Sequence, residues 1–301
     1  MKILSFDIGG TLIKSAIYDE ETGLSCFEEH SYPIPGKDGL LKVLRSCMDK
    51  NDFDGIGIST AGLVDEKEGQ IIFCSDAIPG YTGARLKGIF ESEYNKPVWI
   101  VNDVNAAALG EAYFGAGKDY DDFICLTYGT GVGGAIVINK EVYGGKSGYA
   151  GEMGHIVTHL HGKDCVCGKK GCYNEYASTR ALTERCMMLD SSFDNGKKIF
   201  AALNEGNSQV KKEVDEWIDE IIYGLINIVH IFNPPCLVLG GGIMDQEYIV
   251  SEVNKKLKTA VMQGYNDLEI LRAFLGNKAG LMGAAQYTLR KMKLEKIEVN
   301  N

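Results

Sequence analysis

Three cysteines and three histidines lie within residues 148–178 of the chain. The cysteines follow a Cys-x-Cys-x4-Cys pattern at Cys165, Cys167 and Cys172, and His155 stands upstream of them. Three thiolates and one imidazole form a complete tetrahedral ligand set for zinc. Buried free cysteines are the alternative, but the segment is rich in Gly, Lys and Asp and has no apolar periodicity that would bury them. The pattern therefore predicts a closed, structural zinc site.

The fourth zinc ligand is open between three histidines, because His159 and His161 also lie close to the cysteines and spacing alone does not exclude them. His155 is favoured because Glu152 stands just before it and Glu175 just after the last cysteine. A zinc-ordered loop would hold both carboxylates in place, and each carboxylate accepts a pair of hydroxyl groups of the kind that a sugar presents. The segment thus predicts a hydroxyl-binding surface beside the zinc.

A second candidate site lies at the start of the chain. Residues 2–19 read as strand, glycine turn and strand, with Asp7 near the end of the first strand and Gly9, Gly10 and Thr11 in the turn. The glycines let backbone N–H groups approach phosphate oxygens, the threonine adds a hydroxyl donor, and the aspartate can hold Mg²⁺ through water. A tight hairpin without any ligand is the other interpretation of this DIGGT segment.

The same design recurs over residues 123–139, with a glycine turn at Gly129, Thr130 and Gly131. Its Gly-x-Gly-x-x-Gly pattern matches the dinucleotide fingerprint, but that fingerprint requires a helix next, whereas residues 135–138 (AIVI) favour a strand. A Rossmann site is therefore excluded. Two hairpins of one design predict a duplicated α/β fold whose halves face each other across a cleft, with a nucleotide between the two glycine turns.

Asn102 and Asp103 follow a predicted strand over residues 98–101 and precede a predicted helix over residues 105–114. Capping the helix is the usual role of an Asp at this place. Open α/β sheets also place catalytic groups at the carboxyl ends of their strands. The pair therefore predicts a carboxylate with a neighbouring amide that can bind a hydroxyl group.

Glycines also end two other predicted strands. Residues 53–60 predict a strand that ends in a bend around Gly62. Residues 217–232 predict a long buried helix, after which a buried strand leads to the turn Gly240–Gly242. Only backbone lines that turn, which suits a flat base or ribose. A last helix is predicted over residues 279–292.

Composition bounds the possible partners. The chain has 301 residues, 45% of them hydrophobic, which is enough for two domains with large cores. A formal net charge of -10 argues against a nucleic-acid surface, which needs clustered Lys and Arg. The cysteines outside the cluster are scattered in apolar contexts, as is usual in a reducing compartment. Asp7 interrupts the apolar start that a signal peptide would need, and the longest apolar run is too short to span a bilayer. We expect a soluble, cytoplasmic protein with no nucleic-acid or membrane partner.

The motifs together resemble the ROK family of bacterial sugar kinases and sugar-responsive regulators, with similarity from Met1 to about Gln286. They occur in the family's order and spacing as DIGGT (7–11), NDVNAAALGEA (102–112), GTGVGGAI (129–136), GEMGH (151–155), CVCGKKGCYNEYAS (165–178) and LGGGI (239–243). The resemblance implies an α/β protein with the actin-like, hexokinase-type ATPase fold, in which two α/β domains surround a cleft. The domains implied are a small one, 1–113, and a large one, 114–301, with a helix at about 280–293 that packs back on the small domain.

The resemblance also implies an activity and a role for each matching residue. The activity is ATP-dependent phosphorylation of the primary 6-hydroxyl of glucose or a related hexose, with ATP, Mg²⁺ and a structural Zn²⁺, in a homodimer. Asp103 is implied as the catalytic base. The sugar ligands implied are Gly62, Asn102, Asp103, Glu152, His155 and Glu175; the nucleotide ligands are Asp7, Gly9, Gly10, Thr11, Gly129, Thr130, Gly131, Gly241 and Gly242; and the zinc ligands are His155, Cys165, Cys167 and Cys172.

Alternatives remain for the substrate and for the class of function. Many glucokinases of the family carry Asn-x-Pro-Gly-Trp where this chain has residues 77–81 (AIPGY), preceded by Asp76, which weakens the case for plain glucose. N-acetylmannosamine kinase and β-glucoside kinase stay open, because loops at residues 60–63 and 75–81 would read the sugar's substituents. A sugar-sensing regulator is less favoured, because family regulators carry a helix-turn-helix domain first, whereas here the first predicted strand starts at Lys2.

Overall fold

The computed structural model describes residues 1–10, 12–32, 34–74, 78–265 and 267–300. The strands and turns predicted from the glycine motifs are present, and the strand after Gly131 confirms that the Gly-x-Gly-x-x-Gly segment is not a Rossmann turn. In chain order the strands are β1 (Lys2–Ile8), β2 (Leu12–Asp19), β3 (Gly23–Ser31), β4 (Gly55–Thr60), β5 (Leu63–Asp65), β6 (Gln70–Phe73), β7 (Val98–Asn102), β8 (Phe123–Tyr128), β9 (Val132–Ile138), β10 (Glu141–Val142), β11 (Cys236–Gly240) and β12 (Glu269–Arg272).

Helices connect these strands. They are α1 (Lys37–Met48), α2 (Leu86–Tyr94), α3 (Asp103–Phe114), α4 (Asn174–Ala177), α5 (Thr179–Met187), α6 (Gly196–Asn204), α7 (Ser208–Phe232), α8 (Glu247–Ala260) and α9 (Ala279–Asn300). Short 3-10 turns cover Met153–His155, Gly242–Asp245 and Gly276–Lys278. None of the helices in the described ranges has the length and apolar character that a membrane span requires.

Tertiary contacts group the chain into two compact units, each built from separated segments. The first unit contains Met1–Asp121, Val137–Ala150 and Asn277–Asn301, and the second contains Asp122–Ile136 and Gly151–Gly276. This grouping differs from a single division of the chain at residue 113, because compact units are defined by contacts and not by chain order. The division into a small domain, 1–113, and a large domain, 114–301, stays a prediction.

The first unit is built on a sheet with the strand order β3-β2-β1-β4-β7. Strands β1, β4 and β7 are parallel, and β1 and β2 form an antiparallel hairpin. Strand β4 (GIGIST) is buried along its whole length. A parallel strand in the middle of an α/β sheet is covered on both faces, which explains why its sequence lacks polar alternation except for small hydroxyl residues.

Alternate residues of β1 face two different layers. Phe6 belongs to a buried cluster with Leu44 of α1 and Phe90 of α2. Ile3 packs instead with Leu289 of α9. This alternation follows from the two-residue period of a strand. The C-terminal helix therefore covers one face of this sheet, and α1 and α2 cover the other.

The second unit repeats the topology of the first. The sheet that contains its strands β8, β11 and β12 has the order β10-β9-β8-β11-β12, although β10 and the end of β9 are grouped with the first unit. In both sheets the third, second, first, fourth and fifth strands of the set are therefore neighbours in that order. Strands β8, β11 and β12 are parallel, as β1, β4 and β7 are. The shared strand order confirms the duplication that the two glycine hairpins predict.

Helix α7 is longer than its apolar pattern suggests. It begins at Ser208 and not at Trp217, and the side chain of Asn207 caps it by accepting from the N–H groups of Gln209 and Val210. Its first turns bury only Val210 and are otherwise mostly charged, so the apolar periodicity becomes continuous later than the helix itself. The cap is the signal that locates its start.

Candidate functional site

The predicted residues of the first unit lie at one edge of its sheet. Ile8 of β1 pairs with Thr60 of β4, and Thr60 pairs with Asn102 of β7. The carboxyl ends of the three parallel strands are therefore in register. Asp7 and Asn102 lie at this edge, and Asp103 follows directly as the first residue of α3. Such an edge is where open α/β sheets bind ligands.

Two side chains hold the carboxylate of Asp7. Lys14 Nζ lies 3.2 Å from Asp7 Oδ2, and Ser59 Oγ donates to Asp7 Oδ1 at 2.8 Å. Lys14 stands directly opposite Asp7 in the β1–β2 hairpin. The sequence analysis missed both partners, although the register of a tight hairpin would have identified the lysine. These contacts fix the carboxylate that is predicted to hold Mg²⁺.

Gly280, in the first turn of α9, makes room for Asp7. A Cβ atom at this position would lie 2.7 Å from Asp7 Oδ1 and 3.0 Å from Ser59 Oγ. Both distances are shorter than ordinary van der Waals contact, so a larger residue would displace the carboxylate. Gly280 is therefore part of the setting of Asp7, and no local pattern in the sequence indicates it.

The first glycine turn is exposed, as a phosphate turn must be. The Gly9 N–H donates to the Leu12 carbonyl at 3.0 Å, which closes the turn, and the Gly9 carbonyl accepts from Tyr32 Oη at 2.6 Å. Gly10 is also exposed. Thr11, predicted as the hydroxyl donor, lies outside the described residues.

Asn102 and Asp103 divide two roles between them. Asn102 Oδ1 accepts from the N–H groups of Val104 at 2.9 Å and Asn105 at 3.2 Å, so Asn102 caps α3. Its amide Nδ2 donates to the Gly62 carbonyl at 3.0 Å and keeps a second N–H for another acceptor. Asp103 is not the capping residue. Its half-buried carboxylate accepts from the Val104 N–H at 3.0 Å.

Residues 174–179, which follow the cysteines, hydrogen-bond to the second glycine turn. Gly129 to Gly131 are exposed, and the Gly129 N–H donates to the Gly131 carbonyl at 2.8 Å. The Thr179 N–H donates to the Gly129 carbonyl at 2.9 Å. Asn174 Oδ1 accepts from the Val132 N–H at 2.7 Å. The turn is thus fixed by backbone and side-chain contacts, while its own surface faces outward.

A close backbone approach places Glu152. A Cβ atom on Gly134 would lie 2.7 Å from the Gly151 carbonyl oxygen, and one on Gly151, whose φ is +98°, would lie 2.8 Å from the Gly134 carbonyl oxygen. Both positions therefore require glycine. The third glycine of Gly-x-Gly-x-x-Gly packs against this loop and not against a helix. Glu152 follows immediately and is exposed.

The cysteine cluster has the geometry of a tetrahedral metal site. Ligand atoms of His155, Cys165, Cys167 and Cys172 all lie within 4.8 Å of one another. His155 Nδ1 is 3.6 Å from Cys165 Sγ, and Cys167 Sγ is 3.6 Å from Cys172 Sγ. Tetrahedral zinc with Zn–S bonds of about 2.3 Å separates two sulfurs by roughly 3.8 Å, and an imidazole nitrogen from a sulfur by slightly less. The four donors fit this ion.

The structure distinguishes between the three candidate histidines. Within the described residues, His155 belongs to the four-donor group, and His159 and His161 do not. His159 Nδ1 lies 3.1 Å from Thr158 Oγ1, and its Nε2 lies 3.5 Å from Glu220. His155 Nε2 points the other way from its Nδ1 and lies 4.0 Å from Glu152 Oε2. With Nδ1 toward a metal, Nε2–H is left as a donor beside the Glu152 carboxylate.

Glu175 is buried, and each of its carboxylate oxygens accepts one hydrogen bond. Arg180 Nη2 donates to its Oε2 at 2.6 Å, and Asn174 Nδ2 donates to its Oε1 at 3.0 Å. Burial alone would raise the pKa of the Glu175 carboxyl, but the Arg180 guanidinium outweighs it and lowers that pKa. Glu175 is therefore a carboxylate at neutral pH. The sequence analysis identified this residue but neither of its partners.

The last predicted turn follows β11. Gly241 and Gly242 are exposed, and the short 3-10 turn Gly242–Asp245 comes directly after them. Asp76 and Ala77, which bear on the choice between glucose and other sugars, lie outside the described residues.

Comparison with known proteins gives the family. The family model described as "ROK family" matches residues 3–291. The chain belongs to the ROK family. Its fold is that of the actin-like, hexokinase-type α/β class.

Two kinases and one solved structure are similar to this ROK protein over nearly their whole length. It is 32% identical over 310 residues to a glucokinase of Streptomyces coelicolor, covering 94% of this chain and 96% of that protein. It is 32% identical over 299 residues to a β-glucoside kinase of Listeria monocytogenes, covering 97% and 98%. A solved structure of a ROK glucokinase from Streptomyces griseus in complex with glucose and AMPPNP matches with a TM-score of 0.84 at 32% identity, covering 95% of this chain and 99% of that one.

Proposed function

We propose that this ROK protein is an ATP-dependent hexose kinase, which transfers the γ-phosphoryl group of ATP to the primary 6-hydroxyl of glucose or a closely related hexose. The observation that carries the proposal is its similarity over 95% of the chain to a glucokinase whose structure contains glucose and AMPPNP. The positions of the predicted carboxylates and glycine turns support the same reaction.

Asp103 is the proposed catalytic base. It is the first residue of α3, at the carboxyl edge of the first sheet. Asn102, and not Asp103, caps this helix. Its carboxylate would accept the proton of the sugar's primary hydroxyl as that oxygen attacks the γ-phosphorus. We propose Gly62, Asn102, Glu152, His155 and Glu175 as the residues that bind the other hydroxyl groups.

The nucleotide is the proposed ligand of the glycine turns. The Gly9 and Gly129 N–H groups close the turns at Gly9–Gly10 and Gly129–Gly131, so the other N–H groups of these turns would bind phosphate oxygens. Gly241 and Gly242 would lie against the adenosine. Asp7, held by Lys14 and Ser59, would bind Mg²⁺ through water. When bound, that ion neutralises charge that develops on the phosphates.

Zinc is the proposed ion of the four-donor group. His155, Cys165, Cys167 and Cys172 would hold it, and all four tetrahedral positions would be filled by protein, which leaves none for a substrate. The site is therefore structural. It would order the loop that carries Glu152 and the segment that leads to Glu175.

The identity of the hexose is the finer part of the proposal. A β-glucoside kinase is the second candidate, favoured by the relative from Listeria. N-acetylmannosamine is a third candidate substrate. A homodimer in the cytoplasm stays a prediction from the family resemblance.

A coupled assay of ADP release over a panel of sugars tests the proposal. The panel contains glucose, mannose, N-acetylmannosamine, N-acetylglucosamine and cellobiose, each with ATP and Mg²⁺. We expect ADP release that depends on at least one of these sugars and that saturates with its concentration. Equal rates of ADP release with and without every sugar, in protein that retains zinc, would overturn the proposed function.

A further inference from the structure

The hydroxyl groups of Thr60 and Tyr81 form a buried pair in the first unit. Both residues are 0% exposed, and Tyr81 Oη lies 2.9 Å from Thr60 Oγ1. Tyr81 packs within the apolar cluster that also contains Phe90, and burial raises the pKa of its phenol, which therefore keeps its proton. The Thr60 hydroxyl donates to the Ala61 carbonyl at 3.3 Å. The Thr60 oxygen is thus left to accept a hydrogen bond from Tyr81.

Thr60 lies at the edge of the sheet where several of the proposed sugar ligands meet. It is the last residue of β4 and pairs with Asn102 of β7. Two residues after Thr60, the Gly62 carbonyl accepts from Asn102 Nδ2 at 3.0 Å. The Asn102 amide therefore joins the bend at Gly62 to the residue that precedes Asp103. A shift of Thr60 would move this bend, because only one residue separates Thr60 from Gly62.

The segment that carries Tyr81 is fixed by other hydrogen bonds. Backbone hydrogen bonds join residues 83 and 84 to β6. Thr82 Oγ1 accepts from the Cys74 N–H at 3.1 Å and donates to the Cys74 carbonyl at 3.2 Å. These contacts anchor residues 81–84 to β6 and to the residue that follows it. The position of the Tyr81 hydroxyl is therefore set before it contacts Thr60.

Cys74 also lies against the bend at Gly62. The φ of Gly62 is +102°, and a Cβ atom there would lie 2.5 Å from the Phe73 carbonyl oxygen and 3.2 Å from Cys74 Cβ. Burial raises the pKa of the Cys74 thiol, and the negative charge of Asp103 raises this pKa further, so the thiol and the carboxylate lie close enough to interact. The end of β6 and Thr60 thus hold the Gly62 bend near the proposed base.

We propose that Tyr81 is a positioning residue for sugar binding, an inference that rests on the proposed kinase function. Its hydroxyl holds Thr60 and, through Thr60, keeps the Gly62 bend and the Asn102 amide in the geometry that receives the hydroxyl groups of the sugar. The hydroxyl is the part of Tyr81 that this role requires. A phenylalanine would fill the same space in the apolar cluster but could not hold Thr60.

Single oxygen atoms can be removed from each side of the pair. Tyr81→Phe removes Oη and keeps the ring, and Thr60→Val removes Oγ1 and keeps the shape of the side chain. The double variant leaves no buried hydroxyl of the pair without a partner. Tyr94→Phe is the matched control, because Tyr94 packs against the same apolar cluster and its hydroxyl donates to Asp49 at the end of α1.

Steady-state kinetics of ADP release, on protein purified without chelators, separate the effects on the two substrates. We expect Tyr81→Phe to raise the KM of each sugar that supports ADP release by about 3- to 10-fold, because one hydrogen bond that positions the sugar's ligands is lost. Turnover and the KM of MgATP should change by less than about twofold, as expected when only ground-state sugar binding is weakened. Tyr94→Phe should match the unaltered protein.

The double variant tests whether the two hydroxyls act as one pair. We expect Thr60→Val to raise the KM of the sugar about as much as Tyr81→Phe does. The KM of the double variant should then be no higher than that of either single variant, because the same hydrogen bond is lost in all three. Effects of the single variants that multiply in the double variant would show that the hydroxyls act separately, which contradicts the proposal.

The remaining outcomes separate this inference from the proposed function. With sugar-dependent ADP release present, an unchanged sugar KM in Tyr81→Phe would overturn the inference alone. An equal effect on turnover and on the KM of both substrates would also overturn it, since that result indicates a general structural role.

Without sugar-dependent ADP release in the unaltered protein, the proposed function fails. Titration calorimetry with the sugars of the panel then decides the inference. A dissociation constant that rises by about 3- to 10-fold in Tyr81→Phe supports the positioning role. An unchanged dissociation constant, or no binding of any of these sugars, overturns it.

Discussion

Asp103, the proposed catalytic base, is the first residue of α3, and Asn102 is the residue that caps this helix. We predict that Asp103→Asn lowers turnover by at least about 100-fold, because the amide cannot accept the hydroxyl proton. The dissociation constant of the sugar should change little, since the side-chain shape is kept. Steady-state turnover and calorimetric sugar affinity, measured on the same preparation, check both parts.

Asp119→Asn is the control for this change, because Asp119 is exposed and lies just beyond α3 in the same unit. It should leave turnover unchanged. A turnover of Asp103→Asn equal to that of the unaltered protein would place the base elsewhere, with Glu152 as the next carboxylate to replace.

Gly280 provides a second test at this scale, because its effect is purely steric. We predict that Gly280→Ala lowers turnover by about tenfold or more. The added methyl group would displace the Asp7 carboxylate, and with it the Mg²⁺ that this carboxylate is proposed to bind. Overpacking at this site should also lower the free energy of unfolding by about 1–3 kcal/mol.

Gly88→Ala, also within a helix, separates these effects. A Cβ atom at Gly88 meets no heavy atom within 4 Å, so the change should stabilise α2 by about 0.5–1 kcal/mol and leave turnover alone. Normal kinetics of Gly280→Ala with MgATP would show that Asp7 does not need its present position.

The contacts of single residues mark the limit of what sequence reasoning supplies. Lys14 could have been paired with Asp7, because hairpin register fixes cross-strand neighbours. Gly280 could not, because it reaches Asp7 only through the tertiary packing of α9 on the sheet. Asn174 stands beside a carboxylate and looks like any polar residue at the start of a short helix. Its hydrogen bond with the Val132 N–H depends on the path of the glycine turn at Gly129–Gly131, which no local sequence pattern records.

Among the elements, the β5–β6 hairpin is linked to α9 by a buried carboxyl group. Tyr287 Oη donates to Glu66 Oε2 at 2.7 Å. Burial raises the pKa of Glu66, an effect that the hydrogen bond from Tyr287 and the charge of Lys291 oppose and that Asp65 reinforces. The folded state therefore holds this proton more tightly than the unfolded chain does, whose Glu pKa is about 4.3. The stability from this group is complete below that pH and is lost as the pH rises through the folded-state pKa.

We predict that Glu66→Gln removes this loss. The amide keeps an acceptor for Tyr287 and carries no charge, so the variant should match the unaltered protein near pH 4 and be more stable at pH 8. Denaturant unfolding at a series of pH values measures the difference. Glu68→Gln, an exposed position in the same turn, should leave the pH profile of stability unchanged. A Glu66→Gln protein that is less stable than the unaltered protein at pH 8 would show that the ionised carboxylate stabilises the fold, which contradicts this prediction.

We predict that the order of the cysteine loop depends on a bound zinc ion. Protein purified without chelators should contain about one zinc per chain. Cys167→Ser should lose the metal and most of the activity together, because the loop then no longer holds His155 and Glu152 in place. Atomic absorption and the coupled assay measure the two losses.

Cys26→Ser is the matched control, since Cys26 is an exposed cysteine outside the cluster. It should keep both zinc and activity. Full activity of metal-free protein would contradict a structural role for zinc.

Elements with strong local signals were predicted with nearly correct limits. Both glycine hairpins and the strands 98–102 and 236–240 combine apolar runs with glycine or polar stops. Helices α7 and α9 extend beyond their predicted limits, because the first turns of α7 are mostly charged and the last turns of α9 place the exposed Leu294 and Ile297 among charged residues. Length of this kind is set by capping and by tertiary contact, which a hydrophobic pattern does not record.

At the scale of the whole molecule, the repeated strand order of the two sheets is the clearest result. It was predicted from two hairpins with glycine turns, because duplicated sequence features indicate duplicated structure. A C-terminal helix packed on the small domain was expected from the family resemblance, whereas the inclusion of β10 in the first unit was not predicted, because it depends on contacts between distant segments. With a net charge of -10, the protein has no general attraction for phosphates, so the proposed binding of ATP would depend on the local turns and on Mg²⁺.

The reaction product distinguishes a kinase for the 6-hydroxyl of a hexose from an enzyme that only hydrolyses ATP. Phosphorus NMR of a mixture of the protein, MgATP and the sugar that gives the highest rate in the panel would identify where the phosphoryl group goes. We predict a sugar phosphate monoester in amounts equal to ADP, with the triplet coupling of a phosphate on a primary CH₂–O group, and almost no inorganic phosphate. ADP accompanied only by inorganic phosphate, or a phosphate ester on a secondary or anomeric carbon, would contradict a kinase for the 6-hydroxyl of a hexose.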